Sequence, residues 1–299
     1  MSKIRIIINN KEKNINLLND FLFSKTLGER GCERETLYVI NIITGENFES
    51  LTYETNEIQG LHEGNKKSIT DVLVTTNNGT VVNIESQIAE QKDFHKRSHF
   101  YNAKISSILL RIGQDYEKLP MTILINILNF TLHESLEDYH TTFKPTEIKN
   151  KNYSLDDIME THYIELPKFR KQVKEGNINL DDPKIRLILL LDEESPQELI
   201  EEVLKMDEFA KSIYEKSAEV LQDQKQYLAY IRAEQTELDK KAMIKFADEK
   251  GFKKGRKEGK KEGKEDKEIE IALKLKKLDF SIEEIAEITG MPPMIIKKL

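Results

Sequence analysis

The sequence predicts an α/β domain followed by an α-helical C-terminal region, and three observations carry that prediction. Between about residues 20 and 167, helix-like and strand-like hydrophobic periods alternate, whereas from about residue 183 onward nearly every stretch has the helical period. Residues 121–130, MTILINILNF, are almost wholly apolar, as expected of a strand covered on both faces. Charged residues make up 33% of the chain and hydrophobic ones 38%, with no Trp, so a globular core is accompanied by a long solvated part.

The elements follow in order. Residues 34–43 read as a helix, and residues 50–58, 69–76 and 81–88 as strands. Residues 93–112 form a longer amphipathic helix, residues 121–130 the next strand, and further strands lie around Thr141 and Tyr163. Residues 196–206 and 208–243 read as helices with Glu and Lys at solvent positions, a pattern common in bundles, which predicts a homo-oligomer, a dimer, through these C-terminal helices. Glycine then recurs every fourth residue at Gly251, Gly255, Gly259 and Gly263. Each costs a helix about 1 kcal/mol relative to alanine, so either a glycine stripe admits another helix closely or, the expectation here, the segment is a frayed, flexible linker. Residues 240–268 hold twelve Lys or Arg against seven acids, a local excess that could touch phosphate, although a solvated face is the expectation. At the end, Ser281 and Glu284 have capping-box spacing, Gly290 stops the helix, and Pro292 and Pro293 open another. This helix, turn, helix is expected to be a packing motif, because its second helix offers only Lys297 and Lys298 as polar side chains.

A chain of 299 residues buries a real core without a disulfide or metal staple. The net charge of -7 argues against a uniformly basic coat, but binding depends on the local field. Cys32 is the only cysteine, so no internal disulfide exists, and a lone thiol suits a reducing compartment. No base partner for a cysteine nucleophile is identifiable, and Cys32 is expected at the start of a helix. The opening MSKIRIIINN has too short an apolar run for a signal peptide, and the longest apolar stretches, at 123–125 and 187–191, fall far short of the ~18 residues of a membrane span. A cytoplasmic protein is expected.

The chemistry concentrates at two strands joined by Asn77, Asn78 and Gly79. A two-residue turn would set Val72 opposite Glu85 and mix apolar with charged on one face. A three-residue loop with Gly79 left-handed instead pairs Val72 with Ile84 and Val74 with Val82, and sets Asp71 opposite Glu85 with Gln87 two residues along. The second register separates a core face from a polar one and is preferred. Two carboxylates side by side repel unless a cation sits between them, and oxygen ligands of this kind suit Mg²⁺ or Mn²⁺. Downstream, Arg97 and Lys104 sit seven apart on roughly one helix face with Tyr101 between them, which fits either a solvated face with a packed tyrosine or a source of positive charge for DNA binding. His95 and His99 lie one turn apart, but no third zinc ligand is identifiable.

The segment SITDVLVTTNNGTVVNIESQ, preceded by DFLFSKTLG and followed by KRSHFYNAKI and ILINIL, resembles the PD-(D/E)XK nuclease family transposases, also called recombination-promoting nucleases. The resemblance covers about residues 18–170, and the glycine tetrad with SIEEIAEITG is similar to that family's C-terminal region. It implies a restriction-endonuclease-like sandwich, a central mixed sheet flanked by helices, and Mg²⁺-dependent endonucleolytic cleavage of DNA. It divides the chain into a nuclease-like domain at 1–175, a helical region at 183–250 and a charged, helix-turn-helix-like tail at 251–299.

By position, the resemblance implies that Asp71 is the aspartate, Glu85 the glutamate and Gln87 the residue where the wider superfamily has lysine. Thr70 stands where that superfamily has proline, which supplies no ligand. Glutamine for lysine matters more, since it can hydrogen-bond but carries no charge; the positive charge would then come from Arg97 and Lys104. An early-helix acid often completes the metal site, and Glu35, with Glu33 second, is the expected one. Glu165 and Lys168 in YIELPKF fit a recurring structural or dimer-forming segment. The function expected is a Mg²⁺-dependent DNA endonuclease in recombination or mobile-element biology; the alternative is a catalytically weak DNA-binding or oligomerising protein on the same fold.

Overall fold

A computed structural model describes residues 6–8, 11–54, 57–58, 68–69, 71–90, 93–109, 115–155 and 158–299. Thr70 and the expected end of a helix at residue 112 lie outside the described residues. A small hairpin, β1 (Ile6–Ile8) and β2 (Lys11–Lys13), precedes helices α1 (Asp20–Leu27) and α2 (Glu33–Thr44). Strands β3 (Leu51–Tyr53), β4 (Glu57–Ile58), β5 (Ser68–Ile69), β6 (Val72–Thr76) and β7 (Val81–Gln87) come next, then α3 (Phe94–Leu109) and a 3₁₀ turn at Tyr116–Lys118. Strands β8 (Thr122–Leu128), β9 (His140–Phe143) and β10 (Met159–Glu165) lead into α4 (Leu166–Lys174), α5 (Pro183–Leu191), α6 (Gln197–Met206), α7 (Glu208–Gln222) and α8 (Gln224–Lys277). Helices α9 (Ile282–Thr289) and α10 (Pro293–Ile296) close the chain.

Six strands form one mixed sheet in the order β3-β6-β7-β8-β10-β9. The β3-β6-β7 end is antiparallel, β8 runs parallel to both β7 and β10, and β9 returns antiparallel on the far edge. β8 is buried along its whole length, as its apolar run predicts for a central parallel strand. One sheet face, with Val72, Val74, Val82, Ile84, Ile123 and Ile125, joins a single large core with α1, α2, α4, α5 and α7. On the other face α3 covers Leu73 and Val81 through Ile105, and Phe94 meets Leu128, Phe130 and Tyr163. This is the expected sandwich, a mixed sheet flanked by helices. The strand expected over 50–58 is divided into β3 and β4, and that expected over 69–76 is divided at Asp71 into β5 and β6.

The chain separates into two compact units at Glu237 and Leu238. Ile185, Leu187, Ile188, Val203, Ile213 and Tyr230 belong to the same core as the sheet, so the helices through the start of α8 complete the first unit.

In the second unit the glycine tetrad lies within one continuous helix, not the expected linker. The residues between the glycines are mostly Lys, Arg and Glu, strong helix formers, with no Pro to stop it. The C-terminal pair packs Ile285, Met291 and Ile296 around Ala272, with Ser281 and Glu284 closing a reciprocal capping box. Among the described residues no helix is long and apolar enough to cross a membrane.

Candidate metal centre

The β6–β7 hairpin turns through Asn77, Asn78 and Gly79, with Gly79 at φ +88°. The Thr76 N–H donates to Thr80 O at 2.9 Å and the Gly79 N–H to Thr76 O at 2.9 Å, while Asn78 Oδ1 accepts from the Thr80 N–H at 3.1 Å. That three-residue loop pairs Val72 with Ile84 and Val74 with Val82. Asp71 therefore arrives at the mouth of the hairpin beside Glu85. Its Oδ2 accepts the Ser86 N–H at 2.7 Å and lies 3.2 Å from Ser86 Oγ, which also reaches Leu18 O at 3.1 Å. Asp71, Ser86 and the residues just before α1 thus form one junction. Gly28 makes the junction possible from the other side: a Cβ there would lie 2.9 Å from Ser24 O and 3.1 Å from Asp71 O.

Glu85 is 8% exposed and accepts one hydrogen bond from Asn83 Nδ2 at 3.2 Å. Burial pushes its carboxyl well above the usual carboxylate range, and the negative charge of Asp71 pushes it further; Asn83 and Arg97 oppose the shift. Asp71 is raised as well, chiefly by burial and then by the Asp20 charge, against the Ser86 N–H, the Ser86 hydroxyl and Arg97. Two carboxyls that resist ionising beside one another are a pair that a cation would relieve.

Arg97 on α3 is a cation whose field reaches both acids. Its Nε donates to Tyr101 OH at 3.1 Å and its guanidinium lies 5.1 Å from the Tyr101 ring centroid, so the tyrosine one turn on holds it. Lys104 lies on the same helix edge and is 8% exposed. Gln87 is half-buried at the end of β7, on the strand face that carries Glu85, and its backbone O accepts from Asn129 N at 2.9 Å.

Glu35 stands elsewhere. It is buried between α2 and α7, where its Oε2 accepts from Lys216 Nζ at 2.6 Å and its Oε1 from Ser212 Oγ at 2.7 Å. Burial raises its carboxyl, but those two hydrogen bonds outweigh it and hold it below the usual range. Glu33 accepts the Gly31 N–H at 2.8 Å. The early-helix acid whose charge bears on Asp71 and Glu85 is Asp20, the first residue of α1, which the sequence reading passed over although it opens the quoted DFLFSKTLG segment. The start of α1 is held by Asn19, whose Oδ1 accepts from Phe21 and Leu22 N–H and whose Nδ2 donates to Glu234 Oε1 at 2.8 Å. Glu234 also accepts from Asn16 Nδ2 at 2.9 Å, so the first turns of α8 clamp the segment that carries Asp20.

His95 and His99 are both exposed on α3, away from any closed ligand set among the described residues. Cys32 is the buried cap residue at the start of α2, its thiol raised by burial. Glu165 is fully buried; its Oε1 accepts the Leu132 and His133 N–H at 2.5 and 3.0 Å, and its Oε2 accepts Lys168 Nζ at 2.6 Å. Lys168 also donates to His133 O at 2.8 Å, so this pair pins the loop after β8 to the start of α4.

Among the described residues no three His, Cys, Asp or Glu side chains form a ready metal cage. An ion held by Asp71 and Glu85 alone would keep most of its coordination for water and substrate oxygens, which fits a hard, strongly hydrated cation such as Mg²⁺ better than zinc.

No curated protein and no solved structure matches the chain. A family model described as PD-(D/E)XK nuclease family transposase matches residues 17–247, spanning the sheet, the carboxylate hairpin, α3 and the helices through the first part of α8. On a match of that extent, the chain belongs to the PD-(D/E)XK nuclease family transposases.

Proposed function

We propose that the protein is a Mg²⁺-dependent DNA endonuclease, Mn²⁺ being an alternative ion, acting in recombination or mobile-element biology. The observation that carries this reading is the Asp71–Glu85 pair, Glu85 buried and Asp71 half-buried, both carboxyls raised, facing the field of a tyrosine-held arginine. Asp71 and Glu85 would hold the ion, with Asp20 adding negative potential at the same place. When bound there, Mg²⁺ supplies Lewis-acid polarisation of a phosphoryl oxygen and acidification of water. The chain's own residues divide the remaining work. Ser86 fixes the Asp71 carboxylate in one orientation. Arg97 replaces, from α3, the charge that Gln87 lacks, and offsets negative charge developing on the phosphate. Gln87 is left to orient water by hydrogen bonding. Tyr101 keeps the guanidinium aimed, and Lys104, buried on the same edge of α3, would add positive potential rather than an exposed phosphate contact.

Supercoiled plasmid incubated with the protein and Mg²⁺, Mn²⁺ or EDTA tests the reading. Metal-dependent nicking, abolished in Asp71→Ala and Glu85→Ala with unchanged far-UV circular dichroism, is expected. Salt-sensitive DNA binding without cleavage under any metal would overturn it in favour of a DNA-binding protein on a nuclease fold.

A further inference from the structure

The continuous helix through the glycine tetrad converts a low-complexity sequence into a sharply divided surface. Successive helical residues are rotated by about 100°. On that spacing all nine Lys and Arg between residues 250 and 267 fall within an arc of about 160°. The remaining arc takes everything else in the segment: Glu258, Glu262, Glu265 and Asp266, the four glycines, and Phe252. Every residue from 250 to 267 is exposed.

We propose that this cationic face of α8 is a binding surface for the phosphate backbone of a nucleic acid. The choice of nucleic acid as occupant rests on the endonuclease reading, but the surface itself does not. Its charges lie over about 25 Å of helix axis, roughly one every 3 Å, close to the ~3.4 Å phosphate spacing along one strand of a duplex. Like charges also stand at i,i+4 along the face, at Lys253 and Lys257, Arg256 and Lys260, and Lys260 and Lys264, an arrangement that destabilises a bare helix and is relieved by a polyanion. The ion pairs that do form, Lys254–Glu258 at 3.8 Å, Lys261–Glu265 at 3.7 Å and Lys264–Glu268 at 3.6 Å, leave the lysine ends 77–80% exposed and are screened by water. A helix that serves only solubility intersperses its signs. A membrane-surface helix presents an apolar face opposite the basic one, whereas between residues 250 and 267 that face holds four glycines, four acids and a single apolar side chain, Phe252.

The test is the salt dependence of binding to a fluorescent 30-base-pair duplex in EDTA, where no cleavage occurs, over about 50 to 300 mM KCl. A variant with Lys253→Gln, Arg256→Gln, Lys257→Gln, Lys260→Gln and Lys264→Gln is expected to bind at least about 10-fold more weakly at the low-salt end. The slope of log affinity against log salt should become shallower by about 0.9 for each lost phosphate contact. Exchanging the same lysines for arginine should preserve the slope. If the fivefold variant loses helicity, Lys257→Gln and Lys260→Gln are measured singly, each with an expected slope change of about 0.9. Slopes indistinguishable from the parent would overturn the proposal. So would loss of binding to phosphatidylserine vesicles with duplex binding intact. A parent protein that never nicks plasmid but shows the slope change overturns the endonuclease reading alone; one that nicks with no slope change overturns this surface alone.

Discussion

Ser86 grips Asp71 through its backbone N–H, at 2.7 Å, and holds its hydroxyl 3.2 Å from the same carboxylate oxygen, although the two residues are 15 positions apart. The backbone bond survives most substitutions; the hydroxyl does not. Ser86→Ala should therefore cost about 1 kcal/mol of Asp71 orientation, read as a roughly 5-fold loss of kcat/KM for plasmid nicking or a similar rise in the Mg²⁺ concentration for half activity. Asp71→Asn should remove activity altogether. Equal effects from the two variants would mean that Ser86 does more than hold Asp71.

The raised carboxyls make metal-free stability depend on pH with a defined sign. A folded-state pKa above the unfolded value contributes stability below the unfolded pKa, and that contribution is lost as pH rises through the folded one. The metal-free protein should thus lose Tm between about pH 5 and pH 9, because Glu85 and Asp71 are forced to ionise in a buried site. Glu85→Gln should flatten this loss and stand roughly 3 °C or more above the parent at pH 8.5. Mg²⁺ should stabilise the parent more at pH 8.5 than at pH 6, since binding displaces protons. Thermal melts at the two pH values, with and without Mg²⁺, decide it; a pH-independent Mg²⁺ shift would contradict the assignment.

Arg97 is expected to act on turnover. Arg97→Gln should lower kcat by about 10²–10³-fold, with a smaller change in KM, because the charge it supplies matters most as phosphate charge develops. Tyr101→Phe removes the 3.1 Å hydrogen bond to Nε but keeps the ring, and should cost only several-fold. A loss confined to KM would place Arg97 in ground-state binding instead.

Gly28 has an ordinary backbone conformation, φ -103°, so its requirement is one of space. Gly28→Ala would set a Cβ 2.9 Å from Ser24 O and 3.1 Å from Asp71 O, and neither backbone atom yields cheaply. A stability loss of about 1–3 kcal/mol is expected in urea unfolding, together with a fall in nicking rate as Asp71 shifts. Full stability with full activity would show that α1 moves away without disturbing the carboxylate.

Much of the candidate centre was legible before any tertiary contact was known. The hairpin register follows from period-two alternation and from Asn77-Asn78-Gly79, because only a three-residue loop puts Val72, Val74, Val82 and Ile84 on one face. That register is local, and it is what brings Asp71 beside Glu85. The apolar run of β8 and the amphipathic α3, with Arg97, Tyr101 and Lys104 on one edge, are local in the same sense.

What remained hidden depends on distant parts of the chain. Two early helices each offer an acid, and nothing nearby distinguishes Asp20 from Glu35. Lys216, 181 residues from Glu35, captures that carboxylate, while Glu234, 215 residues from Asn19, clamps the start of α1. The helices after residue 183 looked like a separate region, yet their buried faces fill the core beneath the sheet. By itself, then, the sequence determined the pairing of the two carboxylates, because alternation and loop length act between neighbours, while the family came from the likeness of its motifs. Only the tertiary structure brought the Asp20 charge to bear on them, drew Glu35 to Lys216 and put the helices through the start of α8 in the first unit, because ion pairing and burial act across the whole chain.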